Sequence, residues 1–158
     1  MRKISIALSC LALGVWGLTS ASPAEASPRW ADWPLKGIIL RLPVIPVPNW
    51  KPGHRGIDLA AEPGATVRAP VSGNVKWVGT INGVTSLTIV DFHGYRHTLL
   101  PVETTAQIGD QVARGDVVAT VGGGTHCKRF CLHWGIRKAR AYIDPRWLAP
   151  PLIYRLPS

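Results

Sequence analysis

The pattern of apolar and polar positions over residues 53–148 predicts a β domain. Short apolar runs rich in Val, Ile, Thr and Trp alternate with turn residues, and such runs are typical of strands. No 11-residue window shows sustained helical periodicity with caps, while Asn82-Gly83 between two runs predicts a hairpin turn. The pattern therefore predicts a single, compact, antiparallel all-β domain. Its strands are expected at residues 66–69, 74–81, 86–92, 96–102 and 116–121.

Both flanks of this domain are rich in proline. Residues 27–52 contain Trp33-Pro34, Leu42-Pro43, Ile45-Pro46 and Val47-Pro48, and each proline favours extended backbone in itself and in its predecessor. We expect an extended strap laid over the domain, with room for one edge strand and no helix. Residues 149–158 are expected to form a C-terminal tail.

The first 26 residues have the order of a secretory signal peptide. Arg2 and Lys3 precede an uncharged apolar stretch over residues 4–18, and Ala24-Glu25-Ala26 offers a small-residue cleavage site. About 15 apolar residues fall short of the roughly 20 that span a bilayer, and Cys10 lies in a poor context for lipid attachment. The sequence predicts a secreted or cell-envelope protein with no stable membrane span after cleavage.

The charge balance of the 158-residue chain narrows the class of partner. Lys and Arg number 18 against 9 Asp and Glu, and loss of residues 1–26 would leave a net charge of +8. A basic exported domain suits an anionic partner, such as a cell-wall polymer or a lipid surface. A nucleic-acid partner is not expected, because the basic residues are scattered and no nucleic-acid-binding motif is present.

Two histidine-containing segments could carry chemistry. The first places His54 and Asp58 four residues apart, with Gly56 between them expected to let the chain bend so that both side chains meet one ion. Imidazole nitrogen and carboxylate oxygen are two of the ligand types that Zn²⁺ prefers. The alternative is a surface histidine beside an aspartate that caps a turn.

The second segment contains His126, Cys127, Cys131 and His133. Cys131 and His133 are two residues apart, so on a strand they point to the same face. Four potential ligands within eight residues suit a metal site. The alternative, favoured by export, is a disulfide between the two cysteines, which would contribute roughly 2 kcal/mol and leave only the histidines to bind metal.

Five motifs follow one another in a fixed order along residues 53–148. They are His54-x-x-x-Asp58, the segment 64–75, the Gly-Asp repeat over 109–116, Leu132-His133-Trp134-Gly135-Ile136-Arg137 and Ile143-Asp144-Pro145. Together they resemble the lysostaphin-type zinc metallopeptidases, and the exported actinobacterial members in particular. That family's endopeptidase domain cuts peptide bonds in peptidoglycan cross-links.

The resemblance implies a fold and a set of metal ligands. The fold would be a compact antiparallel β-sheet domain with a groove, like a duplicated hybrid motif. Zn²⁺ would be held by His54, Asp58 and His133, all of which are present, and the fourth position would stay open.

The sequence departs from the family at its two proton-handling histidines. One position is occupied by Cys131 and the other by Pro101, and neither a bonded cysteine nor proline can shuttle a proton. His97 lies four residues before Pro101, roughly 13 Å along a strand, so it is not a simple substitute. His126 is the remaining candidate, as a base or a fourth ligand; the alternative is a solvated loop histidine.

Two functions therefore remain open from the sequence. One is a zinc endopeptidase that acts on peptidoglycan cross-links with replaced catalytic histidines. The other is an inactive, zinc-retaining module that binds peptidoglycan or regulates a cell-wall hydrolase.

Overall fold

The computed structural model describes residues 29–123, 127 and 130–152, and within them the chain is almost entirely antiparallel β structure. The only helix among these residues is a single 3₁₀ turn, Pro145–Trp147. The strands are β1 Ile39–Arg41, β2 Gly56–Ala60, β3 Thr66–Arg68, β4 Gly73–Ile81, β5 Val84–Val90, β6 Tyr95–Leu100, β7 Val102–Glu103, β8 Gln111–Val112, β9 Val117–Val121, β10 Cys131–Lys138 and β11 Ala141–Ile143.

The strands form two sheets that enclose one core. The larger sheet has the order β1-β2-β10-β6-β5-β4-β8, with β11 paired to the far half of β10, and the smaller has the order β3-β9-β7. Alternate residues of β2, β5, β6 and β10 point into the core, where they are fully buried. Among them are Ile57, Leu59, Leu87, Ile89, Leu99, Leu132, Trp134 and Ile136. Burial of this apolar surface is the main stabilising contribution to the fold, and it leaves the other face of the large sheet for a site.

The predicted hairpin and turns are present. Asn82 and Gly83 both have positive φ, as the tight turns that suit twisted strands require, and they join β4 to β5. The two Gly-Asp turns flank β8, and each aspartate accepts a hydrogen bond from a backbone N–H three residues earlier, Asp110 from Gln107 and Asp116 from Ala113.

The predicted strand over residues 96–102 is wrong as a single element. Strand β6 ends at Leu100, Pro101 follows it, and β7 then pairs with β9 in the smaller sheet. Because proline has no N–H to donate, it suits the point at which the chain leaves one sheet for the other.

The predicted strand over residues 86–92 extends too far. Strand β5 ends at Val90, and Asp91 closes the turn to β6 by accepting hydrogen bonds from the backbone N–H groups of His93 and Tyr95. Phe92 lies exposed in this turn, so its apolar character does not reflect a place in a strand.

The proline-rich strap packs on the domain as extended chain. Its segment β1 pairs with β2 at the edge of the large sheet. The Trp33 indole donates to the carbonyl of Pro150 at 2.7 Å and packs edge-on against Trp134. The start of the tail is therefore held against the strap. The predicted signal segment and the end of the tail lie outside the described residues.

Candidate metal centre

Strands β2 and β10 bring together the three residues that the sequence singled out as metal ligands. Asp58 of β2 lies directly opposite His133 of β10 in the antiparallel register, so both side chains project from the same face of the sheet. His54 precedes β2 and is fixed by a two-way backbone bridge with Val44 of the strap. All three side chains are buried.

Three potential ligand atoms converge at this point. His54 Nε2 lies 2.9 Å from Asp58 Oδ1 and 3.1 Å from His133 Nδ1, and His133 Nδ1 lies 2.7 Å from Asp58 Oδ1. Ligands about 2.0–2.1 Å from a tetrahedral Zn²⁺ are separated from one another by about 3.3 Å. The observed triangle is slightly tighter than this, and a small outward movement of the side chains would accommodate the ion.

The tautomer of His54 is set by the strap. Its Nδ1 lies 2.8 Å from the carbonyl oxygen of Leu42, and because a carbonyl can only accept, Nδ1 carries the proton. In the neutral ring, Nε2 then presents a lone pair to Asp58 and His133. A second hydrogen bond of this kind orients histidine ligands in metal sites generally. The donor set of two imidazoles and one carboxylate therefore fits Zn²⁺.

The carboxyl group of Asp58 is held in its ionised form. Burial alone would raise its pKa, but a hydrogen bond from His133 and the contact with His54 outweigh this effect and keep the pKa well below the usual range. Hydrogen bonds to the charged form of a carboxylate stabilise that form. The site therefore presents a negative charge to a cation.

Gly56 has a different role from the one that the sequence suggested. It was expected to provide a bend between His54 and Asp58, but it lies within β2, paired with Gly135 of β10. A Cβ at this position would lie 2.7 Å from His133 Nε2 and would also collide with the carbonyl oxygen of Trp134. Glycine is required here because the ring of His133 occupies the space of a side chain.

The two positions that the resemblance assigned to proton-handling histidines, Cys131 and Pro101, contain no titrating group. Cys131 lies on β10, two residues before His133 and on the same face. Its sulfur is joined to that of Cys127, with the Cα atoms 6.2 Å apart, a separation ordinary for a disulfide. Both sulfurs lie within 4.8 Å of a carboxylate oxygen of Asp58. Pro101 directly follows β6, and the predicted candidate His126 lies outside the described residues.

Two other histidines are separate from the centre. His97 is fully buried on the core face of β6, stacked against Trp134, and therefore lies on the opposite side of the sheet from the ligand atoms. His93 lies in the turn after β5 with its ring centroid 3.9 Å from that of Trp30. Neither is placed to act on a group at the metal centre.

A groove of about 360 Å³ opens beside His133. Its floor is formed by β10, β6 and β5 and its walls by β4, β11 and the segment before β2. Apart from the aliphatic Ile81, Leu100 and Ile136, the side chains that line it are aromatic, hydroxylated or basic, and they include Arg55, Trp77, Thr88, Arg96, Thr98, Arg137 and Tyr142. Sequence reasoning did not find this set, since it depends on the register of five strands.

The family model for "Peptidase family M23" matches residues 52–145. The chain belongs to peptidase family M23. An uncharacterized protein of Mycobacterium tuberculosis is 34% identical over 149 residues, which cover 89% of this chain and 60% of the relative. The chain thus spans about 60% of the length of this relative.

Solved structures have the same fold. A putative M23 peptidase from Pseudomonas aeruginosa is 27% identical, with a TM-score of 0.60 over 78% of this chain and 52% of that one. A zinc-containing peptidase from Vibrio cholerae is 22% identical, with a TM-score of 0.62 over 82% and 40%. The catalytic domain of lysostaphin from Staphylococcus simulans is 21% identical, with a TM-score of 0.54 over 59% and 76%. The fold predicted from the sequence is confirmed.

The described part of the chain contains no helix with the length and apolar character needed to cross a membrane.

Proposed function

We propose that this M23 domain is an exported zinc metallopeptidase that cleaves peptide cross-links in peptidoglycan. The observation that carries the proposal is the convergence of His54 Nε2, Asp58 Oδ1 and His133 Nδ1 within 3.1 Å of one another beside an open groove. Two buried imidazole rings and one ionised carboxylate that converge on one point favour a cation there, because a buried charge needs a partner. Catalytic zinc sites typically have three protein ligands and an open fourth position.

In this proposal each ligand has a distinct role. Asp58 supplies the negative charge, and the hydrogen bond to Leu42 keeps the ring of His54 aimed at the ion. His133 lies on β10, which forms part of the floor of the groove, so it places the metal ion next to the groove. When bound, Zn²⁺ would supply Lewis acidity, which polarises a carbonyl group and lowers the pKa of water.

We assign the proton transfer to His126. Proton transfer by a positioned side chain typically contributes 10²–10⁴-fold to the rate, and Cys131 and Pro101 cannot provide it. His126 adjoins Cys127, whose link to Cys131 would hold the segment beside β10, and three glycines at 122–124 precede it. This role rests on sequence position, because His126 lies outside the described residues.

Export and a cell-wall substrate are supported by the sequence. The N-terminal segment has the order of a signal peptide, and the cysteine pair suits an oxidising compartment, so we propose that Cys127 and Cys131 form a disulfide in the exported protein. The basic net charge suits an anionic cell-wall polymer.

The metal ligands can be tested with an isosteric substitution. Asp58→Asn keeps the size of the side chain but removes its charge, so we expect most of the bound zinc to be lost, as measured by elemental analysis of purified protein. Asp32→Asn, at an exposed position outside the centre, is the control and should keep full zinc content. Equal zinc content in both variants would contradict the ligand assignment.

Turnover can be tested by the release of soluble fragments from purified peptidoglycan. The zinc-loaded parent should release peptide-containing fragments, and His126→Ala should reduce release at least tenfold with unchanged zinc content. Full activity in that variant would show that His126 is a bystander.

A second function is favoured by one specific observation. Both positions of the usual proton-handling histidines are occupied by groups that do not titrate, Cys131 and Pro101. A zinc-retaining module that binds peptidoglycan or regulates a hydrolase would not need a proton-handling histidine at either position. If the zinc-loaded parent binds peptidoglycan but releases no fragments, this function is supported instead.

A further inference from the structure

The floor of the groove carries two arginines that face each other across neighbouring strands. Arg137 of β10 lies directly opposite Arg96 of β6 in the antiparallel register, and both side chains line the groove. Directly opposite like charges destabilise a sheet. The pair therefore lowers the stability of the unliganded fold, which suggests that the two arginines serve a function other than stability.

No carboxylate of the described residues balances this positive charge. In the described ranges, neither Arg96 nor Arg137 is within ion-pair distance of a carboxylate, whereas Arg114 and Arg146 each have an aspartate partner. None of the described residues that line the groove is acidic. An anion that enters the groove would thus meet two guanidinium groups without displacing an internal partner.

A third arginine, Arg55, adds to the positive charge of the groove, but its guanidinium group contacts other parts of the protein. Arg55 donates to the backbone carbonyls of Asn49 and Lys51, and its guanidinium lies 5.4 Å from the centre of the Tyr142 ring. Its Nη2 group is thus used in holding the strap. Among the described residues, the side chains of Arg96 and Arg137 make no hydrogen bond, so their full guanidinium forks are available to a ligand.

We propose that Arg96 and Arg137 form a subsite that binds a carboxylate of the peptide substrate. Paired guanidinium groups suit this ligand, because each offers a planar fork that matches the two oxygens of a carboxylate. The proposal deepens the proposed function and rests on it, since it assigns the groove to a peptide whose cleaved bond lies at the metal centre.

The spacing of residues along β10 sets the distance between the metal ligand His133 and the subsite residue Arg137. Arg137 follows His133 by four residues, a separation of about 13 Å along a strand. An extended peptide lying along the floor has nearly the same rise per residue. The carboxylate should therefore lie within about four residues of the bond presented to the centre. Gly135, between the two points, leaves the floor low enough for a backbone to pass.

The subsite can be tested by binding, without any requirement for turnover. The probes are two synthetic alanine-rich hexapeptides that differ only at the C-terminus, one with a free carboxylate and the other an amide, titrated calorimetrically into zinc-loaded protein. We expect the carboxylate peptide to bind at least tenfold more tightly and its advantage to shrink as salt is raised. Arg137→Gln should reduce the advantage to less than twofold.

The control variant is Arg68→Gln, which makes the same change in net charge at an exposed site on β3. It should keep the preference for the carboxylate peptide. Arg137→Gln should also raise the melting temperature of the unliganded protein, since it removes the repulsion with Arg96, whereas Arg68→Gln should not.

Two results would overturn the subsite: a parent that does not distinguish the peptides, or an Arg137→Gln variant that distinguishes them as well as the parent. The titration measures binding and does not depend on turnover. An absence of peptidoglycan hydrolysis would therefore count against the proposed activity, but the test of the subsite would still be valid.

Discussion

Single residues decide whether the three ligands can meet, and Gly56 is the least conspicuous of them. Alanine at this position would place a Cβ 2.7 Å from His133 Nε2 and against the carbonyl of Trp134. We expect Gly56→Ala to displace the His133 ring and to destabilise the domain by about 1–3 kcal/mol. Zinc content and urea unfolding would measure both effects. Gly123→Ala, where a Cβ meets nothing within 4 Å, should change neither.

His97 makes stability depend on pH. Its ring is fully buried, and no hydrogen-bond partner is found for either nitrogen within the described structure. Burial lowers its pKa from 6.5 to about 4, although Asp91, whose carboxylate lies 3.8 Å away, acts in the opposite direction. Between these values the unfolded chain takes up a proton that the folded protein excludes, so stability falls as the pH falls.

The expected loss between pH 7 and pH 4 from this group is about 3 kcal/mol at most. Urea unfolding of zinc-free protein at several pH values would measure it, with His97→Leu as the comparison. Removing the imidazole should flatten the pH dependence by about that amount. Parallel curves for the parent and the variant would show that His97 does not contribute.

The candidate ligands could be predicted at the residue scale because they lie in short local motifs. His54 and Asp58 are four residues apart, and His133 belongs to a recognisable segment. The need for glycine at position 56 was not predictable, since the ring that occupies the space belongs to His133, 77 positions further along the chain. The Arg96 and Arg137 pair was hidden for the same reason, because it exists only through the pairing of β6 with β10.

At the scale of elements, the sequence predicted strands whose apolar residues form continuous runs. Strands β4, β5 and β9 were found in this way. Strands β2 and β10 were not among those predicted, because their groove face carries histidine and arginine in place of an apolar run, together with glycine and aspartate, which are depleted in strands. The strands that carry the metal ligands are thus hard to predict, because the polar residues that the site needs interrupt the apolar pattern of a strand. The change of sheet at Pro101 was also missed, because an apolar run continues through it.

The bond between Cys127 and Cys131 joins the start of β10 to the segment before it. We expect the exported protein to contain no free thiols and to have an intact mass lower by that of two hydrogens. Reduction should free Cys131, whose sulfur lies within 4.8 Å of an Asp58 oxygen, to bind the metal as a thiolate. In the cobalt-substituted protein this would add a sulfur-to-cobalt charge-transfer band, absent in Cys131→Ser. Free thiols before reduction would contradict the pairing.

At the scale of the whole molecule, the working domain is larger than the segment that the family model matches. That match begins at residue 52, but Leu42 orients His54, Val44 pairs with it, and Trp33 packs against Trp134. We expect a fragment of residues 52–152 to be less stable than one of residues 29–152 by about 3 kcal/mol or more, since loss of a packed aromatic ring alone costs this much. Thermal unfolding would compare them.

The shorter fragment should also bind zinc more weakly, because His54 loses the carbonyl that fixes its tautomer. Equal zinc affinity in the two fragments would show that the strap serves stability alone.

The pairing of the strap with the tail has a mechanical consequence. The Ala31 N–H donates to Leu148, the Trp33 indole donates to Pro150, and Trp33 packs against Trp134, a core-facing residue of β10. The two ends of the domain therefore leave together from the core side of the large sheet, while the groove opens on its other face. A tether, a fused partner or an affinity tag at either end would hold the domain from behind, so that it could be immobilised on a surface with its groove still facing outward.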